Sequence, residues 1–210
     1  MSNMEMTLHV SSERRLQKTR AEILDKAWSL ICDHGADVSL AQIAKAAGIS
    51  RQSVYDHFGS RGGMILALVR RTDERLDIRA RLFAAFEETD PRVRLVSTVE
   101  VWIRFVKEIY PVASDLIRLR STDADASAAW EDRMSELRDW LLTLTQGLEK
   151  EGALAPDWTA KQAADYLWAS FSVQTWGLLT RDCSWPEEMA QEVLKRTICQ
   201  ALLRQDRSWS

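Results

Sequence analysis

The chain has 210 residues, 46% of them hydrophobic, enough for one domain of ordinary size or two small ones. No uncharged apolar run approaches the ~20 residues of a membrane span, and the opening "MSNMEMTLHVSSERR" lacks the apolar stretch of a secretory leader, so a soluble, cytoplasmic protein is expected. A net charge of −3 argues against a generic nucleic-acid coat protein, and three widely spaced cysteines without a C-x-x-C pair suggest neither a disulfide framework nor a metal site. Cys32, Cys183 and Cys199 read instead as buried, reduced thiols.

The charge is unevenly spread. Residues 1–75 carry 11 Lys and Arg against 9 Asp and Glu, whereas residues 76–210 carry 17 against 22. Arg14, Arg15, Lys18 and Arg20 cluster at the start, the kind of arm that neutralises phosphates and releases counterions.

With only four prolines and eight glycines, and no strand-like alternation, nearly everything reads at helical period: an all-α protein of about nine helices. The spacing predicts a first helix from near Ser12 to Gly35, with Leu16, Ile23, Ala27, Leu30 and Ile31 on one face. Ser39 caps a short helix that turns Leu40, Ile43, Ala44 and Ala47 inward, and Gly48 stops it in a left-handed turn. Ser50 opens another, running to about Phe58, and Ser60 caps a longer one carrying Met64, Ile65, Leu68 and Val69. Asp90 and Pro91 launch the stripe Leu95, Val99, Trp102, Ile103, Val106 and Ile109, which Pro111 is expected to interrupt, a short helix following to about Arg120. A long helix then carries Trp130, Met134, Leu137, Leu141, Leu144 and Leu148 and closes at Gly152. Asp157 or Thr159 begins the next, and Pro186 lies just inside the last.

The stretch "GISRQSVYDHFGSR" has too few aliphatic positions for a core helix. A helix with small inward residues, a glycine turn, and a second short helix with a polar outer face form a helix-turn-helix. Ala44 permits close crossing, while Ile49, Val54 and Phe58 pin the second helix to the first. Arg51, Gln52, Ser53, Tyr55 and His57 remain outside. Arginine pairs bidentately with guanine and glutamine with adenine, so this polar face fits a major groove.

The run "SLAQIAKAAGISRQSVYDHFGSRGGM", within residues 18 to 68, resembles the DNA-binding domain of the TetR family of bacterial transcriptional regulators. The resemblance implies that Ser39, Arg51, Gln52, Ser53, Tyr55, His57 and Arg61 work at DNA. Tyr55, His57 and Arg61 would touch phosphates, while Arg51 and Gln52 specify sequence. With Gln42, Ser50 and the arm residues Arg14, Arg15 and Lys18, these make up the candidate DNA-binding set. Two departures stand out: Ser39, where threonine is commoner, and Gly62 with Gly63, where good helix formers are usual. Two glycines in a first turn cost about 1 kcal/mol each against alanine, which points to a soft joint between head and body. "GSRGG" is no phosphate loop, since no strand precedes it and no Lys-Ser/Thr ends it.

In "TAKQAADYLWASFSVQTWGLLTR", read as one helix, Ala164, Leu167, Trp168, Phe171 and Leu178 take one face and Tyr166, Val173 and Trp176 another. A helix apolar on two sides has two neighbours, so a two-fold interface is expected from Tyr166, Val173, Trp176 and Gly177 with Val193, Leu194, Ile198 and Ala201 of the last helix, alongside Met189 and Leu202. Gly177 would let the helices cross closely. Five of the nine tryptophans, Trp102, Trp130, Trp140, Trp168 and Trp176, fall in helices expected to enclose a regulatory core. The candidate effector pocket is therefore Trp102, Phe105, Val106, Ile109, Trp140, Leu144, Trp168 and Phe171, suited to an apolar or aromatic molecule. Glu100, Glu108, Asp139 and Asp165 lie on the same helices and leave room for a cationic effector.

No nucleophile motif, metal-ligand spacing or phosphate loop is visible, so no enzyme, cofactor or metal is expected. The reading is a DNA-binding head at 1–60 and a helical regulatory and dimerisation domain at 61–210. It implies a homodimer that binds double-stranded DNA at a palindromic operator and is released by a small effector. The alternative is a helix-turn-helix adaptor or activator without an effector.

Overall fold

A computed structural model describes residues 3–34 and 38–204, with side chains from residue 19 onward except at 125, 129 and 132. The first helix, α1 (Asn3–His34), begins well before Ser12, because no glycine or proline between Asn3 and Ser12 breaks it. Gly35 and the side chains of Arg14, Arg15, Leu16 and Lys18 lie outside the described residues.

Helices α2 (Leu40–Ala47) and α3 (Arg51–Phe58) start where their caps predict. Ser39 and Gln42 form a reciprocal capping box, the Ser39 N–H donating to Gln42 Oε1 at 2.8 Å. Gly48 ends α2 at φ 68°, in the region that favours a residue without Cβ. Ser50 then accepts from the Ser53 N–H at 3.0 Å and opens α3. Ile23, Leu24, Ala27 and Ile31 of α1 pack with Ile43, Ala44, Val54 and Phe58 into a buried core. Helix α4 (Arg61–Leu76) closes this core with Met64, Ile65, Leu68 and Val69.

The glycines at the start of α4 do not loosen it. A Cβ on Gly62 would lie 2.6 Å from Asp123 Oδ1, and one on Gly63 would collide with the Phe58 carbonyl. The Gly62 N–H donates to Asp123 Oδ2 at 3.1 Å. The pair admits a close approach of head and body, so the expected soft joint is a tight one. Gly62→Ala is expected to cost about 1–3 kcal/mol through this overpacking, read as a lower urea midpoint at unchanged slope.

Beyond α4 the chain turns at Asp77, φ 49°, into α5 (Ile78–Phe86). Helix α6 (Pro91–Leu119) runs through Pro111 instead of stopping there. An interior proline costs roughly 3 kcal/mol and one backbone hydrogen bond. Buried residues on both sides hold the helix together: Ile109 and Ala113 lie in the body's core and Val112 and Leu116 in the head's. Helix α7 (Ala124–Lys150) is capped by Asp123, and Thr159, with a capping box of its own, opens α8 (Ala160–Ser170).

The segment expected as one helix through Leu178 is broken. Ser172 caps a separate short helix, α9 (Val173–Gly177), its Oγ accepting from the Thr175 N–H at 3.0 Å. Serine competes with the backbone in this way where the helix would otherwise continue. The Phe171 carbonyl, left without its helical partner, accepts instead from Trp102 Nε1–H at 2.9 Å. A π-helical turn (Leu178–Asp182) follows, and α10 (Glu187–Leu202) has Pro186 as its N-cap rather than inside it. The described residues thus form ten α-helices and one π turn. No described helix is long and apolar enough to cross a membrane.

Two thiols depart from expectation. Cys32 and Cys183 are exposed and Cys199 is half-buried, since Cys32 sits beside rather than on the Ile31 face and Cys183 follows the π turn.

Candidate functional site

Burying Val54 and Phe58 turns the opposite side of α3 outward. Arg51 and Gln52 are fully presented, and Ser53, Tyr55 and His57 are half-exposed around them. The Arg51 guanidinium donates to Tyr55 Oη at 3.2 Å, with Cζ 5.5 Å from the ring centroid. Gln52 Nε2 donates to Asp56 Oδ1 at 2.9 Å. These one-turn pairs bias the orientation of both candidate base-reading side chains by about 0.2–0.5 kcal/mol each. Asp56 was not singled out in the sequence, where a lone acid on a polar helix reads as solvated. Its position one turn after Gln52 was the available signal. Ser39 and Gln42 are tied to each other in the cap, and Ser50 Oγ lies 2.9 Å from Ser53 Oγ. Arg20 stacks on Phe58, its Cζ 4.9 Å from the ring centroid.

Arg61 is placed differently from the rest. It donates to Asp115 Oδ2 of α6 at 2.8 Å, and Arg118 donates to Asp115 Oδ1 at 3.0 Å. Asp115 is fully buried, 0% exposed, whereas Arg61 is 24% exposed. A buried carboxylate needs such partners, so Arg61 ties the start of α4 to the body.

Beneath the head, the body encloses a cavity of about 370 Å³, within the size range of small-molecule sites. Of the candidate effector residues, Trp102, Phe105, Ile109, Trp168 and Phe171 line it. Trp102 stacks on Phe171 with centroids 5.6 Å apart and planes 18° apart, and meets Phe105 at 5.4 Å. Trp140 lines a smaller neighbouring cavity with Ile78 and Leu82, while Val106 and Leu144 pack in the core and line neither. Missed in the sequence were Val69, Leu116, Arg120, Arg133 and Gln174. Charged residues at helical spacing look solvated, and Val69 and Leu116 belong to the head's core as much as to the cavity wall. Glu100, Glu108, Asp139 and Asp165 are absent from the wall. Asp165 pairs with Lys161 at 2.6 Å, and Glu100 with Lys195 at 3.4 Å.

Of the expected interface residues, Val173, Trp176, Gly177 and Ile198 are buried within the chain itself and present no face to a partner. A Cβ on Gly177 would lie 2.7 Å from Tyr110 Oη, so the close crossing this glycine allows is between α9 and α6. Tyr166, Val193, Leu194 and Ala201 are half-buried, and Leu178 and Met189 are exposed at 58% and 48%.

The family model for bacterial regulatory proteins of the tetR family matches residues 23–68, which span α2 and α3 with the end of α1 and the first half of α4. The repressor BepR of Brucella suis is 29% identical over 164 residues, 72% of this chain and 76% of that one. The regulator TtgR of Pseudomonas putida is 33% identical over 81 residues, 38% of this chain and 39% of that one. Among solved structures, a chain from Saccharomonospora viridis described as a transcriptional regulator, in complex with choline, shares the fold with a TM-score of 0.74. It is 21% identical and aligns over 90% of this chain and all of its own. The matched head, regulators as relatives and a fold shared along the body support a DNA-binding transcriptional regulator with a tetR-type head.

Proposed function

We propose that the chain is a homodimeric repressor whose grip on a palindromic operator is released by a small molecule entering the 370 Å³ cavity. One observation carries this reading: Val69 of α4, Leu116 of α6 and Trp130 of α7 line the cavity and are at the same time part of the head's buried core. A molecule that displaces them acts directly on the packing beneath α3. Asp115, next to Leu116, would carry the same displacement to Arg61 at the head of α4. In functional terms residues 1–60 read DNA, residues 61–210 sense and dimerise, and α4 joins them.

Dimerisation is assigned to the outer faces of α8 and α10, through Tyr166, Val193, Leu194 and Ala201. Two copies of α3 read a palindrome when held about 34–36 Å apart, one turn of the duplex. An effector that favours a different spacing weakens binding by its differential affinity for the two states, and tenfold to hundredfold release needs only about 1.4–2.8 kcal/mol. A cytoplasmic location follows from this role.

Selection of bound duplexes from a random pool tests the reading. An enriched two-fold palindrome bound by an even number of protomers is expected; enrichment without any response to cavity ligands would favour the adaptor or activator alternative. On the selected duplex, Arg51→Ala is expected to cost about 1–3 kcal/mol and relax one base pair, while Lys18→Ala weakens all sequences alike and lowers the salt slope. Equal loss for Arg51→Ala on specific and random duplexes would remove its base-reading role.

A further inference from the structure

The walls of the cavity carry an unequal charge. Arg120 and Arg133 line it, and no carboxylate does. Arg133 is paired with Asp73 at 2.5 Å, and burial pushes the Asp73 carboxyl above its ordinary range although Arg133 draws it down. Arg120 forms no ion pair with any described residue; its guanidinium lies over the Trp130 ring, 5.8 Å from the centroid. Trp168 Nε1–H is buried without an acceptor, although its ring belongs to the same wall. Burying such a donor with no partner is unfavourable.

The remaining surface is aromatic: Trp102, Trp130, Trp168 and Phe171. Aromatic faces alone would accept a cation as readily as a neutral ring. Here Arg138 already covers the Trp168 ring, with Cζ 4.2 Å from the centroid, and the two arginines set the sign of the field. The choline bound by the Saccharomonospora viridis neighbour carries the opposite charge.

We infer that the effector is an amphipathic organic anion, an aromatic or aliphatic acid whose apolar body fills the space between the tryptophans and whose carboxylate meets Arg120. This rests on the cavity being the effector site. A guanidinium meeting a carboxylate gives charge-assisted hydrogen bonds, which are shorter and stronger than neutral ones. Arg133 adds positive charge to the same lining while it stays bound to Asp73.

Three probes with one apolar body separate the possibilities by calorimetry on the full chain: naphthalene-1-acetate, its amide and 2-(1-naphthyl)ethylammonium. Decanoate and decylammonium repeat the comparison with an aliphatic body. The acid is expected to bind about tenfold more tightly than the amide, and the ammonium more weakly than either. Arg120→Glu, at an exposed position that folding tolerates, is expected to erase or reverse that order. An ammonium that binds as tightly as the acid, or an Arg120→Glu variant with unchanged preference, overturns the assignment of charge and leaves the cavity as a site. The cavity itself is tested by Ala113→Phe and Ala169→Trp, each checked for a native unfolding transition. If probes bind these filled variants as they bind the parent, or if no probe binds the parent, the effector-site reading fails and the anion proposal with it.

Discussion

Replacing Arg61 with alanine is expected to lower the unfolding free energy by about 3 kcal/mol, because it leaves a fully buried carboxylate with one of its two arginines. Asp115 has no exposed surface, and Arg118, its remaining partner, is 53% exposed and bound to the other oxygen. The reciprocal change, Asp115→Ala, should cost less, since the two arginines left behind both reach solvent. This ordering distinguishes a structural tie from a phosphate contact. If Arg61 only met DNA, its loss would leave the urea midpoint of the free protein unchanged and appear solely in duplex binding. Unfolding curves of Arg61→Ala, Arg118→Ala and Asp115→Ala, taken without DNA, decide between the two.

Trp102→Ala is expected to have a comparable effect, about 3–5 kcal/mol, by removing a large side chain from the contact of α6 with the break between α8 and α9. Two losses combine here. The ring no longer stacks on Phe171 and Phe105, and the Phe171 carbonyl loses the Trp102 donor. Trp102→Phe separates them: it keeps an aromatic ring and removes the N–H, and should cost about 1–3 kcal/mol for the unsatisfied carbonyl. A Trp102→Phe variant as stable as the parent would show that stacking alone holds the break.

The head was legible in the sequence because its signals are local. Ser39, Gly48, Ser50 and Ser60 each fix a helix end through the side chain or backbone within a few residues, and each sits in the structure where its chemistry puts it. The body was legible only as helices. Pro111 looked like a stop because a proline is costly in isolation, and the burial of Val112 and Leu116 that outweighs it comes from distant parts of the chain. Ser172 carried the opposite lesson, a cap hidden inside an apolar run. Treating that run as one helix placed Val173 and Trp176 on an outer face, whereas the break folds both into the core. The cavity was half visible: tryptophans at helical spacing marked Trp102 and Trp168. Arg120 and Arg133 took part only once α6 and α7 were seen to face α8 and α9 across the same space. Gly62 and Gly63 were conspicuous from propensity alone, yet their reason, the approach of Asp123 and the Phe58 carbonyl, is tertiary.

The dependence of head on cavity is tested most directly by linkage. The affinity of the full chain for its selected duplex is measured with and without saturating naphthalene-1-acetate, and the affinity for the acid with and without saturating duplex. Reciprocity requires both to change by one factor, and at least about tenfold weakening in each direction is expected if the wall shared by Val69, Leu116 and Trp130 couples the sites. Acid and duplex that bind the same molecule together, neither altering the other's affinity, would contradict that coupling.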